Sequence, residues 1–117
     1  MAQVETRQNA SQGRANYLVT IDAGEVVTFS LGSAPYPIDW SQGGMSWVVH
    51  PGSGGEMTVE YSLLQDDDYW SPASDSPYDE KTQGHEISRF ERIRFSAATA
   101  EGNVEILSVV PLDWVIT

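Results

Sequence analysis

Met57-Thr58-Val59-Glu60-Tyr61-Ser62-Leu63 alternates apolar and polar residues along its whole length. In a β-strand successive side chains point to opposite faces. Met57, Val59, Tyr61 and Leu63 therefore share one face, and Thr58, Glu60 and Ser62 the other. Such a segment is a strand with one face in a core. The same period recurs on both sides. Tyr17–Ile21 is β-branched and alternating, and Asp22-Ala23-Gly24 is a turn signal. Glu25–Leu31 follows with Val27, Phe29 and Leu31 on one face, so the pair reads as a hairpin. Met45–His50 is a further strand, and the glycine-rich link Pro51–Gly55 joins it to Met57–Leu63 as a second hairpin. Ile87–Ala97 sets Ile87, Ile93 and Phe95 against Phe90, Arg92 and Arg94. Asn103–Val110 is the next strand, and the tail Pro111–Thr117 adds a last one. No segment carries a capped 3.6-residue period. Short strands separated by turns predict an all-β antiparallel β-sandwich or barrel.

The chain has 117 residues, a length suited to one domain. Residues 1–16 are rich in Gln, Asn, Ser and Ala, cannot offset their own ordering entropy, and read as an extended N-terminal arm. Residues 17–117 read as the sandwich domain. Leu64–Glu86 is the longest connection, and a loop of that length is usually functional. The polar N-terminus has no apolar core of signal-peptide length. No apolar run approaches the roughly 18–20 residues of a membrane helix. The expectation is a soluble chain with no membrane partner.

Six basic residues stand against 17 acidic ones, a formal charge of −11. Phosphate neutralisation needs Lys and Arg, so nucleic acid is a poor partner. The absence of cysteine excludes disulfides, thiolate metal sites and thiol catalysis. Asp66-Asp67-Asp68 lacks the spacing of a calcium loop and reads more simply as a solvated tip. His50 and His85 have no zinc-type spacing and read as surface residues. There is no nucleophile elbow, and carboxylate pairs are uninformative among so many acids. The expectation is a non-enzymatic protein with no catalytic residue, cofactor or metal.

Binding residues are sought instead among large aromatics and arginines, the types enriched at interface hot spots. Trp40 and Trp70 fall in loops, where an indole is costly to leave in water. Trp114 lies in an apolar terminus that docks onto its own sheet or a neighbour. Arg92 and Arg94 share a strand face, where they pair with the chain's own carboxylates or with a facing acidic subunit. Arg7 and Arg14 place positive charge in the arm. These seven residues are the candidate partner-binding set.

Met57–Ser62, the aspartate-rich loop ending in Tyr69-Trp70, Arg89–Ala97 and Gly102–Ile106 together resemble small virion proteins of tailed bacteriophages, in particular capsid decoration (cement or staple) proteins. The resemblance covers about half the chain. It implies a jelly-roll-like β-sandwich on the capsid exterior, soluble in the host cytoplasm before assembly. It also implies the major capsid protein or copies of itself as partners, with a homo-oligomeric dimer or trimer as the expected state. A tail or fibre component is the neighbouring reading. A carbohydrate-binding sandwich, calcium-dependent and using Trp40 or Trp70 with Asp66–Asp68, is the alternative from another class.

Overall fold

In the computed structural model, residues 1–9, 14–30, 45–63, 69–86, 92–108 and 112–117 are described. Their strands are β1 (Gln3–Asn9), β2 (Arg14–Ile21), β3 (Val26–Ser30), β4 (Met45–His50), β5 (Met57–Ser62), β6 (Ser71–Pro72), β7 (Thr82–Glu86), β8 (Arg92–Ala97), β9 (Gly102–Ser108) and β10 (Asp113–Ile116). They form two five-stranded sheets, ordered β1-β2-β9-β4-β7 and β10-β3-β8-β5-β6. Every pairing is antiparallel. The all-β antiparallel sandwich expected from the alternation is the observed architecture.

The inner faces supply the core. β3, β4 and β8 bury every second residue: Val27 and Phe29, then Met45, Trp47 and Val49, then Ile93, Phe95 and Ala97. An aromatic chain crosses this core. Tyr17 lies 5.7 Å from Phe29, Phe29 6.1 Å from Phe95, Phe95 6.1 Å from Trp47, and Trp47 5.8 Å from Tyr78. Each buried ring removes apolar area from water, and tilted or edge-on pairs add about 0.5–1.5 kcal/mol beyond that.

Both expected hairpins are corrected. β2 and β3 lie in different sheets, as do β4 and β5. The first link turns through Gly24, whose φ is +84°, and Gly24 N–H donates to Ala97 O on the second sheet. The second turns at Gly54, with φ +73°, and closes through Gly55 N–H to Gly52 O. In each case both strands have a strongly apolar face. Stacking them across the core buries those faces against each other, whereas side-by-side pairing leaves each in need of a cover.

Residues 3–9, expected in the extended arm, instead form edge strand β1. They pair with β2 from Gln3↔Thr20 to Asn9↔Arg14. A ladder is built from backbone groups, so a polar segment can join it. Ala2 is buried and Val4 packs on the core, which anchors the strand's inner face. The Met1 amine binds the Asp22 carboxylate, with Glu25 at 3.6 Å. That hydrogen bond raises the amine above its ordinary value of 8.0 and lowers Asp22 below 3.8.

The connection 64–86 is not structureless. It carries β6 and β7, and Tyr78 bridges to Met57 through backbone bonds in both directions. The inward face expected for Met57–Leu63 holds through Tyr61, which is half-buried against the core, and fails at the end of the segment. Ser62 is buried beneath Arg92, and Leu63 lies beyond β5, 69% exposed. Ile87–Glu91 and Val109–Pro111 fall outside the described residues.

Candidate functional site

β8 alternates, so Ile93 and Phe95 enter the core while Arg92 and Arg94 face out. Neighbouring β5 brings Glu60 opposite Arg94 and Ser62 opposite Arg92. Arg94 Nε donates to Glu60 Oε1 at 2.9 Å, and Arg92 Nη2 donates to Ser62 Oγ at 3.3 Å. The indole of Trp70, just before β6, lies across both guanidiniums. Its centroid is 4.0 Å from Arg94 Cζ and 4.6 Å from Arg92 Cζ. A cation over an indole gains about 0.5–1 kcal/mol at exposed sites. Two arginines and a tryptophan are thus held ready on one outer face.

Of the other candidate binding residues, Trp114, Arg7 and Arg14 belong to different strands. Trp114 faces the core side of β10, 5.8 Å from Tyr17 and 6.5 Å from Phe29, and remains 39% exposed. It closes one end of the aromatic chain, so the apolar terminus docks onto its own sheet. Arg7 and Arg14 belong to β1 and β2 in the opposite sheet. Trp40, Arg89 and Asp66–Asp68 lie outside the described residues.

The two histidines take polar partners on the surface. His50 Nε2 lies 2.6 Å from Glu105 Oε2, and His85 Nδ1 lies 2.7 Å from Ser46 Oγ. Among the described residues no three His, Cys, Asp or Glu side chains gather as a metal cluster would.

A concavity escaped the sequence reading. β6 and β7 are edge strands of the two sheets, and the turn 73–80 runs between them. There a cleft of about 560 Å³ is bordered by Trp47, Tyr78 and Gly84, with Asp75, Asp79 and Glu80 at its rim. Trp47 is 2% exposed, and its Nε1–H finds no acceptor among the described residues. The signal was Gly84. A glycine inside a strand marks close approach by a neighbour, but Thr82–Glu86 is too polar to read as a strand.

Comparison of the chain with family models, with curated proteins and with solved structures finds no match.

Proposed function

We propose that this chain is a non-enzymatic virion structural protein of a tailed bacteriophage, a decoration protein that binds and stabilises the assembled capsid shell. The observation that carries the reading is the Trp70–Arg92–Arg94 cluster on the outer face of β5 and β8. Tryptophan and arginine dominate interface hot spots, and side chains already ordered in the free protein lose less entropy on binding. Three of the four segments that carry the phage resemblance converge here: Met57–Ser62, Tyr69-Trp70 and the Arg92–Ala97 part of the arginine strand.

The winding of the chain supports the same reading. Apart from the adjacent pair β5 and β6, consecutive strands from β2 to β9 alternate between the sheets, in orders β2-β9-β4-β7 and β3-β8-β5-β6. We read this as a jelly roll, an architecture of viral capsid and lectin domains; the step from fold to function is an analogy. The net charge of −11 favours solubility before assembly. The major capsid protein is the proposed partner, the capsid exterior the proposed location, and a homo-oligomer on the shell the proposed state.

The test is co-sedimentation with shells assembled from the major capsid protein of the phage that encodes this chain. The reading expects saturable binding to shells, reduced at least tenfold by Trp70→Ala or Arg94→Ala. Complete recovery of the wild-type protein in the supernatant overturns it.

A further inference from the structure

We propose that β1 is the contact between two copies of this chain, which pair edge to edge about a two-fold axis at Thr6 and join their β1-β2-β9-β4-β7 sheets into one. β1 is the outermost strand of its sheet and pairs with β2 over all seven residues without a bulge. An outermost strand offers backbone hydrogen bonds to another chain, and folded proteins blunt such edges with short strands, proline, lysine or bulges. Among the described residues, the other outermost strands are blunted or acidic. β6 has two residues, one of them Pro72. β10 has four and begins at Asp113. β7 follows Asp79 and Glu80 and ends at Glu86. β1 contains neither proline nor lysine, and the buried Ala2 with Val4 against the core hold it in place. The charge distribution points the same way. Residues 1–21 carry one acidic and two basic side chains, whereas residues 22–117 carry 16 acidic and four basic. Two copies of net charge −11 therefore meet with less repulsion at β1 than at the acidic edges.

The order of charges along β1 selects a second copy as the occupant and fixes the register. In a two-fold pair, residue i of one copy stands opposite residue j of the other, and j opposite i. The axis runs perpendicular to the joined sheet, so it passes at a residue and keeps both core faces on one side. Centred on Thr6, all seven residues of β1 pair, with Glu5 opposite Arg7 of the partner subunit and Arg7 opposite Glu5 of the partner subunit. Thr6 stands opposite Thr6 of the partner subunit, a cross-strand pair that can share a hydrogen bond. Centring the axis on residue 5 or residue 7 instead sets glutamate against glutamate or arginine against arginine, and like charges directly opposite destabilise a ladder. Thr6 also stands opposite Tyr17 in the β1–β2 register, and Tyr17 packs against Trp114 of β10. The axis thus passes beside an indole that the free chain leaves 39% exposed. A seven-residue ladder is a small interface, so the dimer is expected to be a weak one.

The proposal deepens the homo-oligomer of the reading above by giving it an interface, and rests on that reading for the oligomeric state alone. The test is sedimentation equilibrium of the free protein, without shells, from micromolar to millimolar concentration at moderate ionic strength. The wild-type protein is expected to dimerise. Glu5→Arg and Arg7→Glu each turn both charge pairs repulsive and should weaken the dimer about tenfold. The double change Glu5→Arg/Arg7→Glu sets opposite charges against each other again and should restore the wild-type dissociation constant. An equimolar mixture of the two single variants should form a heterodimer for the same reason. Glu5 is exposed, and a melting curve of each variant checks that it is folded. Wild-type protein that stays monomeric over the whole range overturns the proposal. A dimer that neither single variant weakens also overturns it, as does one that the double change fails to restore. Shell binding, read at Trp70 and Arg94 by co-sedimentation, is untouched by any of these outcomes.

Discussion

Gly84 on β7 stands directly opposite Trp47 on β4, and the indole occupies the space that a side chain at position 84 would need. A Cβ built there overlaps Cζ2 and Cε2 of a ring that is itself fully packed. Gly84→Ala is therefore expected to destabilise the protein by about 1–3 kcal/mol, the usual cost of overpacking. Urea denaturation measures it. Adding Trp47→Leu to Gly84→Ala should cost less than the sum of the two single changes, because the partner of the clash is gone. Additive losses would contradict the contact.

Tyr17 ties the two sheets together. Its hydroxyl accepts the Leu112 N–H at 2.8 Å in a buried position, joining β2 to the segment that leads into β10. Tyr17→Phe keeps the ring but leaves that N–H unpaired, at a cost of about 1–3 kcal/mol. Thermal melting should show the loss, and hydrogen exchange should accelerate at Leu112 and through β10.

Arg94 is held by two partners of different kinds, Glu60 and the Trp70 ring. Arg94→Ala leaves Glu60 half-buried without its counter-ion, and a loss of about 1 kcal/mol is expected. A double-mutant cycle with Trp70→Ala should return a coupling of about 0.5–1 kcal/mol from the stacking alone. Zero coupling would mean that the indole does not rest on the guanidinium in solution.

The Met1 amine and Asp22 give stability a pH dependence with a defined sign. Asp22 is lowered below 3.8, so its contribution is present above that value and lost as pH falls through its depressed pKa. The amine is raised above 8.0, so its contribution is present below 8.0 and lost as pH rises through the raised value. Asp22→Asn should therefore lower the melting temperature most between pH 3.8 and 8.0. The difference should shrink on either side and in concentrated salt, because both groups are exposed and screened.

What the sequence made legible follows from what hydropathy can encode. Met45–His50 emerges with the same limits in both readings, because its alternation ends at Pro51. Arg92 and Arg94 emerge opposite Ile93 and Phe95, because a period of two assigns faces. That same period says which side of a strand is buried but not which sheet the strand joins. β2–β3 and β4–β5 were for that reason read as hairpins when each pair spans the core. β1 was missed because its ladder is made of backbone bonds beneath a polar sequence. The cleft was missed because it depends on Trp47 reaching across Gly84, residues 37 positions apart that only the β4–β7 register brings together.

The central claim, that the face bearing Trp70, Arg92 and Arg94 binds a capsid shell, is tested most directly by the rupture temperature of shells with and without bound protein. Wild-type protein should raise that temperature, and the Trp70→Ala/Arg94→Ala double variant, added at the same concentration and shown to be folded, should leave it at the value of bare shells. Equal rupture temperatures for bare and wild-type-decorated shells, or equal protection by wild type and the double variant, would contradict the claim.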